Sequence, residues 1–194
     1  ADGQAVMLGL YLGDGSVLNN EFRVTHGKDQ RFYNEWLKFK FRGHVYTSKA
    51  KGWNKFTQTL MDHSGETIFY VNTMDLWEDY KNLHHPKRIT PWVLDRLTPL
   101  SLAIWYMDDG SYYDRLKVVT LATMGFTDAE RLLLQDMLWT RFGVKVNIQS
   151  YKGLYVVRKY VDRFFSLIAP YILPGFSYKL SSEHRSIVKI DPIL

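Results

Sequence analysis

Two aspartates, Asp14 and Asp109, end two apolar segments of similar sequence and could hold metal ions. The first segment reads MLGLYLGDGS over residues 7–16, and the second reads LAIWYMDDGS over residues 102–111. A carboxylate at a helix C-terminus opposes the helix dipole, and the cost rises beside an apolar core. Two such placements in corresponding positions suggest a compensating cation, and carboxylate oxygens are ligands that Mg²⁺ prefers. Carboxylates with metal ions can activate water and stabilise the leaving oxygen of a phosphodiester.

Both acidic segments are apolar nearly all round, which predicts buried helices. Gly9 and Gly13 lie four residues apart on one face of the first helix, where small residues let a second helix approach closely. The second segment has Ile104 and Asp108 at these positions, so we expect the packing to be asymmetric. Periodicity alone also fits two ordinary core helices capped by loops.

Each acidic segment begins a longer internal repeat. Alternating apolar and polar residues follow it, over Glu21–Thr25 and Lys117–Leu121, and predict half-buried strands. The helices predicted after these strands cover residues 29–41 and 64–80 in the first half and 127–142 and 161–171 in the second. Between the two helices of each half, two more strands are expected, with connections at Lys51-Gly52 and Lys152-Gly153.

Local signals mark the ends of the middle helices. Thr127 is a predicted N-cap, and Glu130 three residues later would complete a capping box. Gly43 and Gly143 are expected to terminate the two helices.

The predicted repeats cover residues 1–83 and 99–194, and a proline-containing ordered linker joins them over residues 84–98. Coincidence between two α+β stretches is the alternative. The shared order of acidic segment, strand pair, helix and glycine argues against it.

Composition narrows the function classes. Lys and Arg number 25 against 20 Asp and Glu, a net charge of +5, which favours a polyanionic partner. The absence of cysteine excludes disulfides, thiolate zinc sites and cysteine nucleophiles, and fits a reducing compartment. The longest apolar run, Ala5–Gly13, is too short to span a bilayer. No P-loop, dinucleotide glycine pattern or hydrolase elbow occurs.

The two acidic segments resemble the signature of the LAGLIDADG homing endonucleases. The stretches Leu97–Gly110 and Ala169–Leu180 resemble the single-chain, two-motif, intron-encoded branch in particular. The resemblance implies an α+β fold of two pseudo-symmetric αββαββα repeats. It places the motif helices at the interface and two four-stranded saddles along the DNA major groove.

The same resemblance implies a metal site. In this family the last acid of each motif binds metal, which corresponds to Asp14 and Asp109. The backbone carbonyls of Gly13 and Asp108 would be secondary ligands, and Asp108 could share the role of Asp109. Two or more Mg²⁺ ions are expected, with Mn²⁺ as the alternative.

The resemblance also implies basic residues near the scissile phosphates. Lys179 matches the lysine of the family's Tyr-Lys-Leu segment. Arg88 is the symmetry-related residue by alignment, and the neighbouring Lys87 is the alternative.

Polar side chains of the predicted strands are candidates for DNA contact. Phe22 and Val24 should face inward, leaving Glu21, Arg23 and Thr25 on the other face. Arginine can read guanine, and threonine can meet a base edge or the thymine methyl. Further candidates on other strands are Lys49, Lys51, Lys117, Lys145, Asn147 and Gln149. An ordinary solvent-facing sheet is the alternative.

These features predict a monomeric, metal-dependent endonuclease that cuts each strand of a pseudo-symmetric duplex site of about 20 base pairs. The resemblance implies 3′ extensions. An intron RNA-splicing maturase on the same fold and a non-catalytic DNA-binding regulator are alternatives. An endonuclease domain from an intein is a third, although no splicing Cys or Ser begins the chain and no His-Asn ends it, so we expect no splicing module. The expected location is intracellular, in a mitochondrion, a chloroplast or a bacterial cytoplasm.

Overall fold

The computed structural model describes residues 2–18, 20–49, 51–54, 59–62, 65–72, 78–149 and 153–188. The helices are α1 (Asp2–Leu12), α2 (Arg31–Phe41), α3 (Pro91–Arg96), α4 (Pro99–Asp109), α5 (Asp128–Phe142), α6 (Val161–Ile168) and α7 (Ser182–Arg185). The strands are β1 (Gly15–Leu18), β2 (Glu21–His26), β3 (His44–Thr47), β4 (Lys51–Asn54), β5 (Thr59–Asp62), β6 (Thr67–Asn72), β7 (Gly110–Tyr113), β8 (Val118–Leu121), β9 (Val146–Gln149) and β10 (Gly153–Val156). None of these helices is both long and apolar enough to cross a membrane.

Packing divides the chain into two compact units. The major unit contains residues 1–13 and 82–194, and the minor unit contains residues 14–81. Helix α1 therefore packs with the second half of the sequence, although it begins the first repeat. The repeat boundaries at residues 83 and 99 stay a prediction.

Each unit contains one four-stranded antiparallel sheet. The strand order is β1-β2-β6-β3 in the minor unit and β7-β8-β10-β9 in the major unit. The two orders correspond strand for strand, because in each unit the second strand of the leading hairpin pairs with the last strand. A separate hairpin, β4–β5, interrupts the first repeat. The expected α+β fold with two four-stranded sheets is confirmed.

Alternating side chains give each sheet one buried face. Phe22 and Val24 of β2 are buried, and β6 places Val71 and Phe69 opposite them. In the major unit, Leu121 of β8 pairs with Leu154 of β10, and both are buried. Apolar side chains at every second position thus build the core of each unit, as expected for a half-buried strand.

Helices α1 and α4 pack side by side within the major unit. A Cβ built on Gly9 would lie 2.5 Å from the Ile104 Cβ and 2.5 Å from the Ser101 carbonyl oxygen. Only a residue without a side chain fits there, because real Cβ atoms do not approach other heavy atoms so closely. Glycine on one helix thus accommodates isoleucine on the other, as the asymmetric motifs predicted.

The predicted end signals of α5 are present. The Thr127 hydroxyl accepts from the Glu130 nitrogen at 3.3 Å, and the Glu130 carboxylate accepts from the Thr127 nitrogen at 2.8 Å. The same carboxylate accepts from the Ile89 nitrogen at 2.9 Å and so joins the linker to α5. Gly143 ends the helix in the left-handed conformation, with φ of 63°.

Several local predictions are wrong. Within the helix expected over residues 64–80, Thr67–Asn72 form strand β6 instead, because Phe69 and Val71 are buried alternately with half-buried neighbours. A short apolar run is compatible with either a helix or a strand, and pairing with neighbouring strands decides which of the two forms. Lys51 lies in β4 rather than in a connection, and Lys117 precedes β8 in the left-handed conformation, with φ of 52°.

Candidate metal site and nucleic-acid interface

The C-terminal ends of α1 and α4 meet within the major unit. A Cβ built on Gly13 would lie 2.6 Å from the Asp108 Cβ, so the Asp108 side chain packs directly over this glycine. Asp109 is the last residue of α4, and its carbonyl accepts from the Ala122 nitrogen at 3.0 Å. Asp14 follows Gly13 in the chain and is exposed. The geometry brings together Gly13 and Asp108, two of the four predicted metal-site residues, and Asp109 follows Asp108 directly.

An ammonium group lies at the end of each of these two helices. Lys179 donates to the Met107 carbonyl at 2.5 Å and to the Asp108 carbonyl at 3.4 Å. Lys87 donates to the Gly13 carbonyl. The terminal carbonyls of a helix carry partial negative charge and attract cations. Both helix ends therefore present oxygen atoms that hold a positive charge.

Two buried tyrosines, which the sequence interpretation missed, hold the basic segments against the helices. The Tyr106 hydroxyl donates to the Lys179 carbonyl at 2.6 Å. The Tyr11 hydroxyl donates to the Arg88 carbonyl at 3.1 Å and accepts from the Arg88 nitrogen at 2.6 Å. Burial raises the pKa of both phenols, which keeps the hydroxyls protonated as donors. Their identical position in the two acidic segments was the available signal.

The structure separates the roles of Lys87 and Arg88. By backbone position Arg88 corresponds to Lys179, because each is bonded to the tyrosine of its motif helix. The ammonium group on the end of α1, however, comes from Lys87, while the Arg88 residue is exposed. Of the two, Lys87 has the side-chain contact that resembles that of Lys179.

In the minor unit, a buried histidine lies beside Asp14. The His26 Nε2 is 3.7 Å from an Asp14 carboxylate oxygen. Its Nδ1 is 2.7 Å from the side-chain oxygen of Asn34. Sequence reasoning ended its predicted strand at Thr25 and missed this residue, which is the last of β2.

The open face of the minor-unit sheet carries the predicted contact residues of β2. Glu21 and Arg23 are half-buried and Thr25 is exposed, so the expected alternation is confirmed. Arg23 donates to Glu21 at 2.8 Å. An arginine held by a carboxylate can still present further N–H donors to a base edge or phosphate.

The other predicted contact residues occupy different surroundings. Lys49 is exposed after β3, and the Lys51 side chain lies outside the described residues. Lys117 forms an ion pair with Asp114 at 3.0 Å. Lys145 precedes β9 and lines a groove beside α5 instead of the open face of the sheet.

The major-unit sheet has an open face of different character. Asn147 and Gln149 are exposed there, as predicted. Gln149 lines a groove of about 630 Å³ whose other lining residues are Tyr113, Leu116, Val118, Thr120, Met124 and Tyr155. Apolar atoms of this kind fit thymine methyl groups, whereas the minor-unit face offers charged groups.

Comparison with known proteins agrees with this architecture. The model of the LAGLIDADG DNA endonuclease family matches residues 4–164. The structure of the homing endonuclease I-WcaI bound to its DNA recognition sequence has the same fold, with a TM-score of 0.72 and 22% identity over 93% of this chain and 86% of that one.

Curated relatives match over nearly all or about half of the chain. Protein RecA of Mycobacterium shimoidei is 29% identical over 96% of this chain, which spans 48% of that protein. The probable intron-encoded endonuclease 1 of Wickerhamomyces canadensis is 36% identical over 50% of this chain and 46% of its own length. This chain thus spans about half the length of these relatives. The family match covers most of the sequence, and the chain belongs to the LAGLIDADG DNA endonuclease family.

Proposed function

We propose that this chain is a monomeric, site-specific DNA endonuclease that hydrolyses one phosphodiester in each strand of a duplex, leaving 3′ extensions. One observation carries the proposal: the ends of α1 and α4 meet within the major unit, and each holds a lysine ammonium on its terminal carbonyls. Membership of the endonuclease family supports it, as does the shared fold with I-WcaI, a protein bound to its DNA recognition sequence.

The oxygen atoms at these helix ends fit divalent metal ions. The carboxylates of Asp14 and Asp109 and the carbonyls of Gly13 and Asp108 would each supply oxygen donors, which suit Mg²⁺. A bound metal ion supplies an activated water and stabilises charge on the leaving oxygen. Mn²⁺ accepts the same donors and is the alternative ion.

Lys179 and Lys87 are proposed to act on phosphate instead of binding metal. An ammonium group beside a scissile phosphate orients the attacking water or neutralises developing charge. Tyr106 and Tyr11 fix the backbone of the two basic segments, so each positive charge stays at its helix end. Arg88, which is exposed beside Lys87, is proposed to contact the DNA backbone.

The open faces of the two sheets are proposed to read the duplex. Antiparallel sheets can follow a major groove, and their outward side chains meet base edges. The net charge of +5 favours the phosphate backbone. We propose contacts from Glu21, Arg23 and Thr25 in one half and from Asn147 and Gln149 in the other.

The test is cleavage of a duplex selected from a randomised library. Asp14→Asn and Asp109→Asn should each abolish double-strand cutting with Mg²⁺, while affinity measured in EDTA changes little or improves. Asp136→Asn, at an exposed position on α5, is the matched control and should cut normally.

Full activity in either motif variant would overturn the metal assignment. Tight binding of structured intron RNA, without cutting of any selected duplex, would instead favour an RNA-splicing maturase. Duplex binding without cutting under any divalent ion would favour a regulator.

A further inference from the structure

We infer that His26 is a nitrogen ligand to the metal ion that Asp14 holds, so the two halves carry chemically different metal sites. The inference rests on the proposed function. It concerns a residue outside the duplicated acidic motif, at the end of the strand that follows it.

Hydrogen bonds around Asn34 fix the tautomer of His26. The Asn34 amide nitrogen donates to the Thr67 carbonyl at 2.7 Å and to the Thr67 hydroxyl at 2.9 Å. The amide oxygen is therefore the atom that faces the His26 Nδ1, at 2.7 Å, and it can only accept. Nδ1 carries the proton, and the lone pair of a neutral imidazole lies on Nε2.

The lone pair on Nε2 faces a carboxylate. The distance from Nε2 to the Asp14 oxygen is 3.7 Å, longer than a charged hydrogen bond. Two acceptor atoms this close repel each other unless a proton or a metal ion lies between them. Two ligand bonds of about 2.1 Å each span up to about 4.2 Å, so one metal ion can bind both atoms.

The imidazole is held in place as metal-binding histidines usually are. Its exposed fraction is 3%, and its ring stacks on Tyr33 with a centroid distance of 4.6 Å. Histidine ligands typically donate the other ring N–H to an oxygen acceptor, which fixes the tautomer and orients the ring. Asn34 takes that role here, and Thr67 in turn fixes Asn34.

The second half has a different residue at the corresponding position. Gly15 pairs with Val24 in the minor unit, and Gly110 pairs with Leu121 in the major unit. Two residues beyond each partner are His26 and Thr123, and both are buried. A neutral hydroxyl is a poor substitute for imidazole as a ligand, so only the first half gains a nitrogen donor at this position.

This asymmetry has a consequence for metal preference. Imidazole favours later transition metals, whereas Mg²⁺ prefers oxygen. The site at Asp14 should therefore prefer Mn²⁺ over Mg²⁺ more strongly than the site at Asp109.

The experiment is pulsed EPR on Mn²⁺ added to the full chain with its selected duplex. A directly bound imidazole gives a ¹⁴N hyperfine coupling, which changes to that of ¹⁵N when histidine alone is labelled. His26→Asn keeps a donor near the Nδ1 position for Asn34 but deletes the Nε2 ligand, and it should lose the coupling. The affinity for the first Mn²⁺ should fall by at least about 10-fold. His44→Asn, at an exposed histidine on the same sheet, is the matched control and should keep both the ¹⁴N coupling and the Mn²⁺ affinity.

Each outcome is decisive. The inference is overturned if Mn²⁺ bound to the wild-type chain has oxygen ligands alone, or if the ¹⁴N coupling persists in His26→Asn. Either result leaves the proposed function standing. Failure of Mn²⁺ to bind at all counts against the proposed function itself. If His26→Asn does not fold, His26→Thr, which copies the second half, is the replacement variant. The wild-type spectrum still shows whether any histidine binds the ion.

Discussion

Replacing Gly9 by alanine tests the close approach of α1 and α4. Two opposing effects act on this change. Alanine is a better helix former than glycine by about 1 kcal/mol, which would stabilise an isolated helix. The new Cβ would lie 2.5 Å from both the Ile104 Cβ and the Ser101 carbonyl oxygen, so the helices must separate or bend.

The clash should outweigh the helix propensity. Overpacking a core costs about 1–3 kcal/mol, and we expect the upper end because both obstructing atoms belong to or adjoin backbone. Subtracting the propensity gain leaves a loss of about 2 kcal/mol. For a chain of this size the melting temperature should fall by about 4–8 °C.

Urea unfolding followed by far-UV circular dichroism measures the loss. Gly27→Ala is the matched control, because a Cβ there has no neighbour within 4 Å and φ is −61°; it should be neutral or slightly stabilising. Adding Ile104→Ala to the Gly9 variant should not restore stability, since alanine keeps its Cβ and the Ser101 carbonyl stays in place. Unchanged or higher stability of Gly9→Ala would refute the close packing on which the candidate site depends.

Three further predictions concern the rate, the salt dependence and the acid stability. Lys179→Met should slow single-turnover cleavage at saturating protein, leave the dissociation constant nearly unchanged and let nicked duplex accumulate; recovery of the wild-type rate at saturation would make Lys179 a phosphate anchor only. With six to ten phosphate contacts, duplex affinity measured by fluorescence anisotropy should fall by about 10³- to 10⁵-fold between 50 and 200 mM salt, and a flat dependence would contradict an extended interface. Burial opposes ionisation of Glu130, but hydrogen bonds from Thr127 and Ile89 outweigh it and lower the carboxyl pKa. The ionised Glu130 carboxylate therefore contributes fully to folding stability above its unfolded-state pKa of about 4.3. This contribution is lost as the pH falls through the lower pKa of the folded state. Glu130→Gln should flatten that part of the pH dependence of urea unfolding, and an unchanged profile would contradict the low pKa.

Elements with strong local signals were predictable from the sequence. The capping box of Thr127 and Glu130 identifies the start of α5 from the sequence, because both of its hydrogen bonds form within four residues. Alternation at Phe22 and Val24 gives the buried face of β2. The exchange of Gly9 for Ile104 between the motifs implies the asymmetric helix contact that the structure contains.

Long-range pairing decided what the sequence could not. The run that forms β6 is short and apolar, and its strand identity comes from pairing with β2 and β3 on either side. Lys87 and Arg88 cannot be ranked by alignment, because a hydrogen bond from Tyr11 fixes the backbone while a different side chain reaches the helix end. His26 has no motif of its own and becomes a site candidate only when folding brings it to Asp14.

The grouping of α1 with residues 82–194 limits how this protein can recombine with its relatives. The boundary between the two repeats is the obvious place for a crossover in the gene. A crossover there would separate α1 from α4, the helix against which it packs. A paired copy of α4 would set Ile104 against Ile104, with no glycine to receive it. Chimaeras should therefore exchange the segment 14–81 as a cassette and inherit α1 and α4 from one parent.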